Sequence, residues 1–210
     1  GQVVRAQRGQ RALYRPIVSA LCASAEPVAV ARALVTHCAA RQLYVADLDA
    51  LQGRAAQVRT LQTVLRALPG VELWLDAGFA DAAAAAALGD QLGDDAARAV
   101  TVFGSASLRS RREFASCCAS SPDAVLSLDR RDGTLLDAAG CWALPALWPA
   151  RVIVMTLERV GAASGPDLDT LRSVQDRAPK AALIGAGGIR DAADLQRACR
   201  AGAAAWLVAS

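Results

Sequence analysis

The stretch GAGGIR, residues 185–190, places two adjacent glycines, Gly187 and Gly188, directly after an apolar run and just before a helix-like segment. Glycine lets backbone N–H groups approach an anion closely, and the dipole of a following helix adds favourable charge. The pattern predicts a phosphate cradle, with Ser210 at the end of the next apolar run as a second contributor. A worn copy lies upstream. LDAGFADAAAAA from Leu75 aligns with IGAGGIRDAADL from Ile184, so that Gly78 meets Gly188 and Asp81 meets Asp191. Gly78, with Gly104 and Ser105 of VFGSAS, would form a second anion site. A ligand with two phosphates would lie between the two sites. Asp129 of SLDRRDG would then be its central polar group, a carboxylate able to protonate or deprotonate a sugar ring or an imine. The structural alternatives are plain: turn or packing glycines, and Asp129 as a cap or salt-bridge residue. Asp47 reads equally as a loop tie or a catalytic acid. Thr156 either hydrogen-bonds substrate or ends its strand.

These residues need elements to hold them. Seven apolar runs begin at Leu43, Val71, Ala99, Ala124, Arg151, Ala181 and Ala204, with helical segments between them. The runs are apolar on both strand faces, as a parallel sheet covered by helices requires. The segment from Asp167 puts Leu168, Leu171 and Val174 on one helix face. The segment from Arg190 places Leu195 with Cys199, and Gly202 follows as a C-terminal stop. Pro27 opens a longer helix.

The expected fold class is α/β, a TIM (β/α)8 barrel in one domain spanning residues 1–210; an open doubly wound sheet is the alternative. Three echoes decide between them. Gly78 pairs with Gly188 at an offset of 110, Asp47 with Thr156 at 109, and Val102 with Leu207 at 105. A barrel built from two four-strand halves predicts such an ordered series; an open sheet does not. The same comparison predicts a first strand, ending in an aspartate of a D-x-x-x-G pattern, upstream of Gly1. It also predicts a last helix beyond Ser210.

Composition narrows the function classes. The chain is 54% hydrophobic and 20% charged, enough apolar material for a sizeable core. A net charge of +3 without a dense basic cluster argues against nucleic acid. No apolar stretch of about 20 residues argues for a membrane span. Six cysteines without a C-x-x-C pair suggest buried thiols in a reduced cytoplasmic setting, and no metal site is expected. His37 reads as an ordinary helix residue.

GQVVRAQRGQRALYRPI, LYVADLDAL, SLDRRDG, SGPDLDTL and GAGGIRDAADL together resemble the HisA/HisF family of histidine-biosynthesis barrels, in order along the whole chain. The closer resemblance is to its isomerase branch, which acts on phosphoribosylformimino-aminoimidazole carboxamide ribotide. That resemblance implies a phosphorylated ribosyl-like small molecule and an Amadori-type acid–base isomerisation without metal or cofactor. It also implies Asp129 and Thr156 at the reacting centre, with phosphate at Gly187, Gly188, Gly104 and Ser105. Two departures stand out. Asp76-Ala77-Gly78 replaces a glycine run, putting negative charge where phosphate would sit. TLERVGAASG lacks the usual acidic turn, with Glu158 as its only nearby substitute. The departures suggest a diverged paralogue with a different, singly phosphorylated substrate, such as occurs in methanopterin-type cofactor metabolism. The authentic isomerase and an inactive barrel kept as a binding partner are the rival expectations. Oligomeric state is left open.

Overall fold

All seven apolar runs are parallel strands. The structure, a computed structural model, describes residues 1–208. In chain order the elements are β1 (Val4–Arg5), β2 (Arg15–Pro16), α1 (Pro27–Cys38), β3 (Gln42–Ala46), α2 (Val58–Ala67), β4 (Glu72–Asp76), α3 (Ala82–Leu92) and β5 (Ala99–Gly104). They continue with α4 (Arg111–Ser120), β6 (Val125–Arg131), β7 (Thr134–Leu135), β8 (Arg151–Thr156), α5 (Leu168–Arg177), β9 (Ala182–Ala186), α6 (Ala192–Arg200) and β10 (Ala205–Leu207). The sheet order is β3-β4-β5-β6-β8-β9-β10, parallel throughout, and β7 folds back antiparallel on β6. β1 and β2 form a separate antiparallel hairpin.

Two apolar layers explain why the strands are apolar on both faces. One is a cluster to which all seven parallel strands contribute: Tyr44, Trp74, Val102, Val125, Ile153, Ile184 and Leu207. Arg151 of β8 donates to Glu72 of β4 at 2.8 Å and lies over the Trp74 ring, a reach across three strand places that requires the sheet to curl round on itself. The alternate residues, among them Leu73, Phe103, Leu126, Val152 and Leu183, pack outward against the helices. The result is a TIM barrel, nearly closed, with β3 and β10 at its two edges.

The echo in the sequence is also present in the backbone. β4 and β9, which lead into the loops of Gly78 and Gly188, stand four strands apart, as do β3 and β8, and β5 and β10. Asp81 and Asp191 cap α3 and α6 with nearly the same φ/ψ, −160°/175° and −158°/178°. Each accepts from the N–H three residues on, at 2.8 and 2.9 Å. Gly78 and Gly188 both have left-handed φ, +67° and +86°.

The helices follow the expected pattern with one exception. On α5, Leu171 and Val174 are fully buried. Pro27 is the first residue of α1, and Gly202, at φ +96°, follows α6. α6 turns a different face inward from the one its apolar residues suggest. Leu195 is 41% exposed and Cys199 is also exposed, whereas Ala198 and Asp194 are buried. Asp194 can be buried because Arg190 forks onto it at 2.8 and 2.9 Å and Arg197 pairs with it as well. Among the described residues, no helix is long and apolar enough to cross a membrane.

All six cysteines are free. Burial pushes the thiols of Cys117 and Cys118 up to about 11, and Cys141 higher still. Thiols in that state are inert as nucleophiles. Alkylation of the folded protein at pH 7.5 is therefore expected to modify the exposed Cys38 and Cys199, leaving Cys117, Cys118 and Cys141 intact until denaturant is added. Mass mapping after a short iodoacetamide pulse checks this.

Candidate functional site

The C-terminal ends of the strands form one rim. Asp129 stands near the top of β6, is only 8% exposed, and points to the inside of the barrel in step with Val125 and Ser127. Ser127 donates to its Oδ1 at 2.6 Å, and the Ala106 amide donates to its Oδ2 at 3.3 Å. Its own amide donates to the Ser105 hydroxyl at 2.9 Å, and that hydroxyl donates to the Leu136 carbonyl. Ser105 is thus an internal brace with no exposure. Gly104 gives the carboxyl its room, since a β-carbon there would lie 3.1 Å from Asp129 Oδ2. Burial, helped by the nearby charges of Asp76 and Asp137 and opposed by the two donors, pushes the Asp129 carboxyl up to about 7.

Asp76 ends β4 and is also buried. The hydroxyl of Tyr44, on neighbouring β3, donates to its Oδ2 at 2.7 Å, and the Gly78 amide donates to its Oδ1 at 3.2 Å. The glycine loop after β4 therefore turns its amide onto a carboxylate of its own chain. Burial raises the Asp76 carboxyl, while Tyr44, Gly78 and the charge of Arg11 pull it back down. Burial and Asp76 together hold the Tyr44 phenol well above the usual range.

Gly187 and Gly188 pack against a neighbouring loop. The Gly188 amide donates to the Arg159 carbonyl at 2.8 Å, and the Gly188 carbonyl accepts from the Gly165 amide at 2.8 Å. The Gly187 carbonyl accepts from the Trp206 indole at 3.1 Å. The glycines admit the segment after β8, and a β-carbon on Gly188 would lie 2.0 Å from the Gly165 carbonyl oxygen. The Gly188 amide, expected to face phosphate, thus already has a partner. Ser210 lies outside the described residues.

The remaining candidates sit at three other points. Asp47 accepts from the amides of Asp49, Ala50 and Gln57, the last at 2.7 Å, and so ties down the loop after β3. Thr156 lies on the outward register of β8 with Val152 and Val154. Its hydroxyl donates to Oδ2 of Asp167, the N-cap of α5, at 2.9 Å. The geometry thus gives the Thr156 hydroxyl a helix-capping partner rather than Asp129. Glu158 lines a polar rim cleft of about 330 Å³ with Arg8, Gln10, Asp132 and Ser164. Its Oε2 is buried without a hydrogen-bond partner among the described residues.

Arg11 and Tyr44 are site residues that the motifs did not single out. Residues 6–14 form a strap from one side of the rim to the other. The Arg8 amide donates to the Val160 carbonyl past β8 at 2.8 Å, and Arg131 reaches the Gly9 carbonyl at 3.3 Å. Arg11 reaches the Leu51 carbonyl past β3 at 3.2 Å. The strap brings Arg8 and Arg11 to a mouth whose floor is acidic. Tyr44 had one sequence signal: a polar aromatic on the inward register of an aliphatic strand.

Among the described residues, no three His, Cys, Asp or Glu side chains stand together as a metal site. The chemistry on offer is proton transfer between a high-pKa carboxyl and a bound molecule, beside a second carboxyl and a phenol.

Comparison with known proteins agrees with the barrel. A family model described as "Histidine biosynthesis protein" matches residues 1–210. An uncharacterized protein of Methanocaldococcus jannaschii is 24% identical over 208 residues, covering 99% of this chain and 86% of its own. With the match running the full length of a duplicated barrel whose mouth carries Asp129, the chain belongs to the histidine biosynthesis protein family, the HisA/HisF barrels.

Proposed function

We propose that the protein is an acid–base enzyme of the HisA/HisF type acting at the barrel mouth on a small phosphorylated, ribosyl-like metabolite. Amadori-type isomerisation is the reaction that the site suits best. Asp129 carries this reading: a buried inward carboxyl pushed up to about 7 can both give and take a proton near neutral pH. Arg8 and Arg11 on the strap would meet the anionic end of the substrate.

The diverged-paralogue reading is favoured over the authentic histidine-pathway isomerase by one observation. The Gly78 amide is engaged by Asp76, so the β4 side of the mouth is poorly suited to a second phosphate. A singly phosphorylated substrate fits better. Free thiols suit a reducing, cytoplasmic setting.

The test is a panel of ribosylamine phosphates incubated in D₂O and followed by NMR. Ketose formation with solvent deuterium at the new methylene is expected, falling by about 100-fold or more in Asp129→Asn. Turnover that survives the substitution would remove Asp129 from the mechanism. No turnover and no ligand-induced rise in melting temperature across the panel would favour a binding barrel without catalysis.

A further inference from the structure

Three loops meet on one side of the mouth. The strap, the β6–β7 turn and the segment after β8 enclose the cleft of about 330 Å³ whose lining includes Arg8, Gln10, Asp132, Glu158 and Ser164. Its walls are tied to one another. The Arg8 amide donates to the Val160 carbonyl at 2.8 Å, joining the strap to the segment after β8. Arg131 donates to the Gly9 carbonyl at 3.3 Å, joining the β6–β7 turn to the strap. The Ala6 carbonyl oxygen comes so close to Gly161 that a β-carbon there would lie 2.0 Å from it. The cleft is therefore preformed, as small-molecule sites usually are. It lies on the Asp129 side of the rim, because Asp132 turns the hairpin that Asp129 enters along β6.

The fold leaves the charges of this cleft unspent. Glu158 Oε2 is shut off from solvent yet has no hydrogen-bond partner among the described residues. A carboxylate oxygen in that state is unfavourable unless a donor meets it. Among the described residues, no ion pair joins Arg8 to Asp132 or to Glu158. One guanidinium and two carboxylates thus face a small space without neutralising each other. An occupant carrying only an anion would meet two like charges, and one carrying only a cation would meet Arg8.

We propose that this cleft binds a zwitterionic group of a small molecule, with an ammonium against Glu158 and Asp132 and an anion, phosphate or carboxylate, on Arg8. The ammonium supplies the donor that Oε2 lacks, and the guanidinium fork can hold two oxygens of the anion. Gln10 and Ser164 add neutral donors and acceptors. That this group belongs to the substrate rests on the proposed reaction; the preference for an ammonium beside an anion does not. On that reading the substrate is a phosphorylated ribosyl-like amine whose free amino group lies beside β6 and β8.

The experiment is an amide NMR titration of the full chain with three probes of similar size: O-phosphoethanolamine, 2-hydroxyethyl phosphate and β-alanine. Phosphoethanolamine should shift the amides around positions 8–10, 132–133 and 158–164. It should bind about tenfold more tightly than 2-hydroxyethyl phosphate, the difference expected of one ammonium–carboxylate pair. β-Alanine binding more tightly than phosphoethanolamine would support the cleft with a carboxylate as the anion; weaker binding would support it with a phosphate. Glu158→Gln should abolish the ammonium preference and leave the affinity for 2-hydroxyethyl phosphate nearly unchanged. Arg8→Gln should weaken both phosphates. Should Glu158→Gln not fold, Asp132→Asn decides, since it should reduce the same preference. Equal affinities for phosphoethanolamine and 2-hydroxyethyl phosphate, or no shifts in these segments with any probe, overturn the proposal. So does a preference that survives both carboxylate substitutions. Zwitterion binding here without isomerisation of the ribosylamine phosphates overturns the functional reading and leaves the cleft standing. Isomerisation with equal probe affinities does the reverse.

Discussion

Asp129→Asn is expected to make the fold more stable at pH 8 while it removes the chemistry. The folded carboxyl sits at about 7 against an ordinary value of 3.8. Between those values the folded protein holds a proton that the unfolded chain has released, so raising the pH favours unfolding. The contribution is whole below about pH 4 and is lost as the pH rises through about 7. A gap of about three units corresponds to roughly 4 kcal/mol as an upper bound. The asparagine amide cannot ionise and keeps an acceptor for Ser127. Its NH₂ cannot accept from the Ala106 amide, which costs about 1 kcal/mol. The net gain at pH 8 is therefore up to about 3 kcal/mol. Urea unfolding at pH 5, 6.5 and 8 checks this: the wild-type midpoint should drop across the series and the variant's should drop much less. Parallel curves would mean that Asp129 ionises normally in the fold.

The second large effect separates the two glycine loops. Gly188→Ala combines a left-handed φ of +86° with a β-carbon 2.0 Å from a backbone carbonyl oxygen that cannot rotate away. The conformation costs about 1–2 kcal/mol and the overlap about 1–3 more. Gly78→Ala, at the equivalent place in the first half, has φ +67° but nearest contacts of 3.2 and 3.3 Å to Leu51. It should cost about 1–2 kcal/mol, mostly conformational. Denaturant midpoints of the two variants at pH 7 decide the matter. Equal losses would show that Gly188 is needed only for its φ and not for the close approach of the segment after β8.

The barrel could be read from the sequence because each strand is covered twice, by the inner cluster and by the helices. Runs such as VELWLD and RVIVMT are therefore apolar at successive positions. The duplication was legible because both halves keep the same helix cap and the same left-handed glycine. α6 was misread because hydropathy counts Asp194 as solvated, and only the Arg190 and Arg197 pairing makes its burial affordable.

The site was legible in part. Asp129 could be placed from strand order and alternation, whereas its neighbours could not. A glycine pair reports a close approach without saying whether a ligand or a neighbouring carbonyl approaches, and at Gly188 it is Arg159. Asp76 was visible as an unwelcome charge. Its hydrogen bond to Tyr44, 32 positions away, depends on the register that sets Ala46 beside Asp76 and Tyr44 beside Trp74. Thr156 shows the same limit: one step along β8 separates the inward face of Met155 from the outward face that caps α5.

The most direct measurement is the pH dependence of solvent-deuterium incorporation by the wild type and by Asp129→Asn, with one accepted substrate. The expected result is a limb in the wild-type profile with a midpoint near 7 that disappears with the carboxyl. A profile that keeps that limb and its rate in Asp129→Asn would contradict Asp129 as the group that exchanges the proton.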